Sequence, residues 1–191
     1  AKLEKDNGVT VNPKSDIVVT PGGKFAIYLA FMSIINPGDE VLIIAPYWVT
    51  YPSSVIMAGG VPVIVPLSAE DNYTISAEKL REYVTPKTKA IIINSPNNPS
   101  GRMMTQAEAD AIQEVAVESD LFVMADEIYE YINFDDRKHI SLAAMDGMAE
   151  RTIIINGMSK GYAMTGWRLG WLAGPTDVMQ VVSKFNSQTA T

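Results

Sequence analysis

Two cationic residues, Lys160 and Arg168, lie eight positions apart in a segment with glycines on both sides. An apolar run from Thr152 to Ile155 comes just before them and is typical of a buried strand. A lysine amine can form a Schiff base with an aldehyde, and a nearby cation with a glycine-lined backbone favours such a site. The segment therefore indicates a lysine that holds an aldehyde cofactor.

Four apolar runs end in polar residues, and a glycine-rich or polar cluster follows each of them. These runs end at Thr20, Asn94, Asp126 and Asn156. Ligands of an open α/β sheet lie outside the carboxyl ends of its strands. If the four strands are parallel, their clusters meet at one edge of the sheet, and we expect one shared site there.

Gly22 and Gly23 join a predicted strand to a predicted helix within Pro21-Gly22-Gly23-Lys24. Glycines let the backbone approach a ligand closely, and the start of a helix offers free N–H groups to an anion. The turn therefore favours a phosphate, although such turns serve as plain connections about as often. Its spacing lacks the GxGxxG pattern of dinucleotide-binding domains.

The segment from Gly157 to Gly170 resembles the cofactor-lysine segment of the fold type I pyridoxal-phosphate aminotransferases, specifically the class I, aspartate-aminotransferase-like branch. The resemblance extends from about Asp16 to the end of the chain and implies pyridoxal 5'-phosphate as cofactor. It implies that Lys160 is the catalytic residue, which forms the Schiff base and then moves the proton. Many relatives have a serine where this chain has Gly157, so the role of that residue is open.

The resemblance also implies the residues that hold the cofactor phosphate and the substrate. Gly22, Gly23, Ser159 and Arg168 would contact the phosphate, with Ser159 equally well explained as a small linker. Lys24 would reach the distal carboxylate of an acidic substrate, or else give a second phosphate contact or an exposed charge. The cofactor-binding set implied by the resemblance is Gly22, Gly23, Lys24, Trp48, Asn98, Asp126, Tyr129, Ser159, Lys160 and Arg168.

The remaining members of this set would contact the cofactor ring. Trp48 would stack on the ring, and Asp126 would face the pyridine nitrogen and keep it protonated. Tyr129 and Asn98 would contact the phenolic oxygen, and Asn98 would also orient the substrate carboxylate. Without the resemblance, a helix cap, core packing or turn geometry explains the same residues. Lys24, Trp48 and Asn98 are the expected substrate contacts.

Short β-rich runs alternate with longer helical ones, which predicts a single α/β domain over residues 1–191, a three-layer α/β/α fold with a mostly parallel sheet. The predicted strands are Asp16–Thr20, Glu40–Ala45, Val61–Val65, Lys89–Asn94, Leu121–Asp126, Thr152–Asn156 and Arg168–Ala173. The predicted helices are Gly23–Ile35, Tyr47–Ala58 after its first residues, Ser76–Tyr83, Thr105–Val117 and Thr176–Phe185. Thr105 and Glu108 form a predicted capping box.

The composition excludes several classes of function. The 191 residues are 47% hydrophobic and 19% charged, with a net charge of −7 and no cysteine. A nucleic acid is therefore a poor partner, and thiol chemistry and disulfides are ruled out. No apolar stretch is long enough to span a membrane, and we expect a cytoplasmic protein. The single histidine, His139, lies in a charged stretch and is predicted to be solvated, so no metal site is expected.

The predicted function is transfer of an amino group between an amino acid, with Lys24 favouring aspartate or glutamate, and a 2-oxo acid. The alternatives are an aromatic or prephenate aminotransferase, a lyase or synthase of the same fold, and an inert cofactor-binding or dimerisation module. A dinucleotide-binding domain is a further alternative. The resemblance covers only the family's large domain, without its N-terminal arm and C-terminal small domain. We therefore expect weak cofactor binding and little catalysis by this chain alone, and a homodimer for the full-length protein.

Overall fold

A single sheet of seven strands organises the computed structural model, which describes residues 1–190. The strands are β1 (Ile17–Thr20), β2 (Glu40–Ala45), β3 (Val61–Pro66), β4 (Thr88–Asn94), β5 (Phe122–Asp126), β6 (Thr152–Gly157) and β7 (Gly170–Ala173). Their order is β1-β7-β6-β5-β4-β2-β3. Only β7 is antiparallel to its neighbours, and the other pairs are parallel. The predicted mostly parallel sheet is confirmed.

Helices cover both faces of this sheet. They are α1 (Gly23–Ile34), α2 (Thr50–Met57), α3 (Ala77–Arg81), α4 (Gln106–Glu118) and α5 (Thr176–Thr189). Helices α1, α2 and α5 pack in one hydrophobic core, and α3 and α4 pack in a second core on the other face. Within residues 1–190, no helix has both the length and the apolar character needed to cross a membrane. The three-layer α/β/α architecture is confirmed.

The apolar strand runs follow from burial on both faces. In β2, Val41 and Ile43 point into the core with α1, whereas Leu42 points into the core with α4. A strand covered on both sides needs apolar residues at consecutive positions, and this explains why the sequence shows runs instead of alternation. A third, smaller core joins Leu3 and Val9 near the start of the chain to β6 and β7.

The observed elements differ from the predicted ones mainly at their ends. Helix α2 begins at Thr50, in agreement with the prediction of a helix after the first residues of Tyr47–Ala58, and it follows a bend at Pro46 and a turn at Val49. Helix α5 continues to Thr189, beyond the predicted end at Phe185. Its last turns gain side-chain bonds, such as Asn186 Nδ2 donating to the Val19 carbonyl at 3.1 Å, which the apolar pattern does not reveal. A short π-helical segment, Leu3–Asn7, was not predicted.

The carboxyl ends of the strands meet at one edge of the sheet. Because β7 is antiparallel to both β1 and β6, those two strands run in the same direction as the parallel strands β2 to β5. Gly170 at the start of β7 pairs with Thr20 on one side and with Gly157 on the other. The clusters after Thr20, Asn94, Asp126 and Asn156 therefore lie along this common edge, as the pattern predicted.

Candidate active site

A cavity of about 250 Å³ lies at the carboxyl edge of the sheet. Every predicted site residue except Gly22 lines it, and Gly22 is the residue just before the lining residue Gly23. Five further residues line the cavity that were not predicted to contact a cofactor or substrate: Ile27, Tyr51, Asn94, Ile128 and Thr165. Of these, Asn94 was predicted only as the end of its strand. The fold thus brings the predicted set together from five separate segments of the chain.

The Asp126 carboxylate lies at the end of β5, with only 3% of the residue exposed. Tyr51 Oη donates to its Oδ2 at 2.7 Å, and the Ile128 N–H donates to its Oδ1 at 3.3 Å. Burial raises the pKa of Asp126 to about 6, although these two hydrogen bonds oppose the rise. The site therefore contains a desolvated carboxylate that would gain from a cationic or proton-donating ligand.

A chain of hydrogen bonds connects the ends of β4 and β5. Asn94 Nδ2 donates to the Asp126 carbonyl at 2.9 Å, and Asn94 Oδ1 accepts from the Asn98 N–H at 2.7 Å. Asn98 Nδ2 in turn lies 3.2 Å from Tyr129 Oη and donates to it. Burial raises the pKa of the Tyr129 phenol, so it stays protonated near neutral pH and can donate a hydrogen bond. Asn98 and Tyr129 thus present an amide and a phenol at one wall of the cavity.

Lys160 lies in the turn after β6, at the open rim of the cavity. Its side chain is exposed, and Nζ lies 5.9 Å from the centroid of the Tyr129 ring. The Lys160 carbonyl accepts from the Ala163 N–H at 3.1 Å, which closes the turn. The amine therefore reaches the same cavity as Asp126 and Arg168 and is accessible to a ligand that enters from solvent.

The N-terminus of α1 and the guanidinium of Arg168 lie together at another part of the cavity. No side chain caps this helix, and Gly22 at its N-cap has φ of 93°, a conformation that favours glycine. A Cβ on Gly22 would clash with Arg168 Nη2, so a side chain there would displace the guanidinium from this position. Free helical N–H groups beside a guanidinium form an anion site suited to a phosphate.

Gly157 is required by close packing of backbone. A Cβ at this position would lie 2.6 Å from the Leu169 carbonyl oxygen and 3.0 Å from Gly170 Cα. Gly170 is equally constrained, because its Cβ would lie 2.5 Å from the Gly23 nitrogen. A side chain at Gly157 would therefore push β7 away from β6.

Lys24 and Trp48 form the outer wall of the cavity. Lys24 Nζ lies 5.1 Å from the centroid of the Trp48 ring, and the lysine is exposed while the tryptophan is half-buried. The Trp48 ring also meets the Tyr51 ring edge-on, with centroids 5.7 Å apart. The residues between the end of β2 and α2 therefore bring an aromatic face and an ammonium group to the mouth of the cavity.

A polar cluster lies next to the site, in which Lys2, Asn7 and His139 surround the buried carboxylates of Glu127 and Glu130. Asn7 Nδ2 donates to both carboxylates, at 2.9 Å and 3.0 Å, and Lys2 Nζ lies 2.6 Å from Glu130. The cluster ties the π-helical segment near the start of the chain to the residues that follow Asp126. Sequence reasoning did not detect it, because its members come from three distant segments.

His139 is not solvated, so that prediction was wrong. Its side chain is only 9% exposed, and Nε2 lies 3.3 Å from Glu127 Oε2. The charged residues before it face solvent, but the chain then turns inward at Ile140, and the imidazole follows it toward the buried carboxylate. The run of charged residues before His139 correctly predicted an exposed loop, but it did not indicate that the chain turns inward beside the histidine.

Glu127, Glu130 and His139 place potential metal ligands within 4.8 Å of one another. The carboxylate oxygens already accept hydrogen bonds, from Lys2, Asn7, Ser141 and Asn156. The ammonium of Lys2 pairs with Glu130, and His139 lies beside Glu127. These contacts form a buried network of hydrogen bonds and ion pairs around the two carboxylates.

Comparison with known proteins agrees with this geometry. The sequence profile described as aminotransferase class I and II matches residues 1–191. The aromatic-amino-acid aminotransferase 2 of Thermococcus litoralis and the aspartate aminotransferase of Pyrococcus abyssi are each 45% identical over 190 residues, covering 100% of this chain and 49% of the relative. The chain thus spans about half the length of the curated relatives it matches.

A solved structure shows the same architecture. The aspartate aminotransferase of Thermus thermophilus, determined with maleate, superposes with a TM-score of 0.95 at 40% identity. The match covers 100% of this chain and 49% of that one. With a cofactor-type site at the carboxyl edge of this sheet and a profile match over its whole length, the chain belongs to the class I and II aminotransferase family.

Proposed function

We propose that this chain is the cofactor-binding portion of a pyridoxal-phosphate-dependent aminotransferase, which transfers an amino group between an amino acid and a 2-oxo acid. One observation carries the proposal. The Lys160 amine, the buried Asp126 carboxylate and the Arg168 guanidinium line one cavity of about 250 Å³ at the carboxyl edge of the sheet. The family match and the names of the relatives support the same activity.

The residues of the site fit this cofactor chemically. Asp126 is a desolvated acid, and a protonated pyridine nitrogen would supply the positive charge that its surroundings lack. Arg168, Ser159 and the N–H groups of the first turn of α1, beginning at Gly23, would hold the phosphate. The Gly22 N–H already donates to the Thr20 carbonyl at 2.8 Å, so Gly22 would contribute by leaving room for Arg168. When bound, pyridoxal phosphate supplies an electrophilic aldehyde and a ring that withdraws electrons from the substrate.

The chain's own residues would divide the remaining work. Lys160 would hold the cofactor covalently through its amine and then carry the proton removed from the substrate α-carbon. Trp48 would stack on the ring, and the Tyr129 phenol and Asn98 amide would donate to its phenolic oxygen. Asn98 would also orient the substrate carboxylate. These roles are proposals that rest on the shared cavity.

For the substrate, we propose aspartate or glutamate with the matching 2-oxo acids. Lys24 places an exposed ammonium at the mouth of the cavity, where the distal carboxylate of an acidic amino acid would bind it. The Pyrococcus abyssi relative is named for aspartate, and the Thermus thermophilus structure contains maleate, a dicarboxylate. The name of the Thermococcus litoralis relative favours an aromatic amino acid as the alternative substrate.

The half-reaction tests the proposed activity and separates the two substrates. The chain is loaded with pyridoxal phosphate and treated with aspartate, glutamate or phenylalanine, and the 2-oxo acid and the aminated cofactor are quantified. We expect slow conversion with aspartate and glutamate, reduced about tenfold or more by Lys24→Gln, because a lost ion pair of about 1.4 kcal/mol changes the rate tenfold. Conversion of phenylalanine alone would contradict the substrate assignment. Ammonia or a cyclised product without 2-oxo acid would favour a lyase or synthase.

We further propose that the full-length protein is a homodimer. Large apolar side chains are exposed near the cavity, including Val49 at 77%, Trp167 at 71% and Phe134 at 96%. Such surface is costly in water unless another part of the protein or a second subunit covers it. Sedimentation of the full-length protein tests this assignment, and a monomer at micromolar concentration would contradict it. The cytoplasmic location stays a prediction.

A further inference from the structure

Tyr51 contacts two of the residues proposed to hold the cofactor ring. It lies in the first turn of α2 and is only 2% exposed. Its hydroxyl donates to Asp126 Oδ2 at 2.7 Å, and its ring meets the Trp48 ring at 90° with centroids 5.7 Å apart. A single buried side chain therefore joins the carboxylate at the floor of the cavity to the aromatic ring at its wall.

The hydroxyl of Tyr51 can act only as a donor to this carboxylate near neutral pH. Burial, followed by the charge of Asp126, raises the pKa of the Tyr51 phenol well above its ordinary value, so the phenol keeps its proton. The other hydrogen bond to the carboxylate, from the Ile128 N–H, is longer at 3.3 Å. Tyr51 therefore gives the shorter of the two bonds that stabilise the charged form of Asp126.

We propose that Tyr51 is a positioning residue of the cofactor site, whose hydroxyl keeps the Asp126 carboxylate charged and whose ring fixes the plane of Trp48. The inference rests on the proposed function, because Asp126 and Trp48 matter to a cofactor only if one binds between them. It goes beyond the proposed function because it assigns to a residue of α2 the stabilisation of the charged form of the Asp126 carboxylate.

Core packing alone is the competing explanation. Tyr51 belongs to the core shared with α1 and α5, so a large ring is needed there in any case. A residue that acts only by packing would be replaced by phenylalanine without any change in the titration of Asp126. If the hydroxyl donates to the carboxylate, replacement by phenylalanine should change that titration, because it removes a hydrogen bond worth about 1.5–3 kcal/mol to a charged group.

The carboxylate is titrated directly in the chain without cofactor. Carbon-13 NMR follows aspartate side-chain carboxyls, and loss of one resonance in Asp126→Asn assigns Asp126. We expect Tyr51→Phe to raise the pKa of Asp126 by about one unit or more, since one unit corresponds to about 1.4 kcal/mol. Tyr28→Phe is the matched control, because the Tyr28 ring packs against Phe25 on α1, and it should leave the resonance unchanged. An unchanged midpoint in Tyr51→Phe would overturn the proposal.

A second measurement does not depend on the variant folding. In the wild-type chain, the carbon-13 ζ resonance of Tyr51 should titrate with the same midpoint as the Asp126 carboxyl, because the two groups share one hydrogen bond. A Tyr51 resonance that stays flat through the titration of Asp126 would also overturn the inference.

Cofactor binding then separates this proposal from the proposed function. The affinity for pyridoxal phosphate is measured between about pH 5 and 8 for the wild-type chain, Tyr51→Phe and Tyr51→Leu. We expect the pH at which affinity falls to rise by about one unit in Tyr51→Phe, and Tyr51→Leu to bind weakly throughout because Trp48 loses its neighbour. If the wild-type chain binds no cofactor at any pH, the proposed function fails, while the titration still decides whether Tyr51 holds the carboxylate.

Discussion

Burial of Asp126 costs the folded chain stability. The pKa of this carboxyl is raised from 3.8 to about 6, chiefly by desolvation, so the folded state binds the proton more tightly than the unfolded state. This penalty on the free energy of unfolding is absent below about pH 4 and grows between about pH 4 and pH 6. Above pH 6 it levels off at about 3 kcal/mol, at about 1.4 kcal/mol per pKa unit. Such a cost is expected at a site built for a cationic ligand.

Replacing Asp126 by asparagine should remove this penalty. We expect Asp126→Asn to be more stable than the wild-type chain at pH 8, by up to about 3 kcal/mol, because the amide carries no charge to desolvate. The difference should shrink as pH falls and vanish near pH 4. Urea unfolding at several pH values measures it, with Asp136→Asn in the exposed loop as a control that should show no such trend. A variant less stable than the wild-type chain at pH 8 would contradict this account.

Gly157 gives a steric prediction at the same edge. We expect Gly157→Ser to destabilise the chain by about 1–3 kcal/mol, the usual cost of overpacking, because its Cβ would lie 2.6 Å from the Leu169 carbonyl oxygen. Denaturant unfolding measures the loss. Gly166→Ser is the control, since a Cβ there meets nothing within 4 Å. Equal stability of the two variants would show that β7 moves aside without cost.

At the scale of the elements, local signals in the sequence predicted much of the structure. The helix α4 begins with the capping box predicted from Thr105 and Glu108, in which Thr105 Oγ1 accepts from the Glu108 N–H at 3.3 Å. Burial opposes ionisation of Glu108, but its bonds from Arg102, Thr105 and Ile75 prevail and lower its pKa. The cap therefore also anchors the segment before α3 to α4.

Removing the cap tests how much this local signal contributes. We expect Thr105→Ala to lower the free energy of unfolding by about 1 kcal/mol, the typical value for loss of an N-cap side chain. Thr10→Ala, at an exposed position outside the helices, should change it little. A Thr105→Ala variant as stable as the Thr10→Ala control would mean that Arg102 and Glu108 hold the start of α4 without the threonine.

Contacts between distant segments could not be predicted in the same way. The strand ends at Asn94 and Asp126 follow from apolar runs, and the common edge follows from the rules of parallel sheets. The bond from Tyr51 to Asp126 joins residues 75 positions apart, and no local pattern reveals it. The inward turn of His139 toward Glu127 was missed for the same reason. The three-residue spacing of Trp48 and Tyr51 was the available hint, because it places Trp48 just before α2 and Tyr51 in its first turn.

At the scale of the whole molecule, the sheet explains why five segments share one cavity. Strand β7 lies between β1 and β6 and is antiparallel to both, so β1 and β6 end at the same edge of the sheet, on either side of the start of β7. The glycine turn before α1 and the segment of Lys160 therefore line the same cavity. The chain spans about half the length of its relatives, and several large apolar side chains are exposed around the cavity. We therefore expect the cofactor contacts to lie within this chain, and efficient turnover to need the full-length protein.

Covalent trapping of the cofactor tests the central claim most directly. The chain is incubated with pyridoxal phosphate, reduced with borohydride, digested and analysed by mass spectrometry. We predict one phosphopyridoxyl group per chain, on the peptide that contains Lys160, in the wild-type chain and in Lys24→Arg, and its loss in Lys160→Arg. Label spread over exposed lysines, or equal labelling of Lys160→Arg, would contradict the assignment of this amine as the group that holds the cofactor.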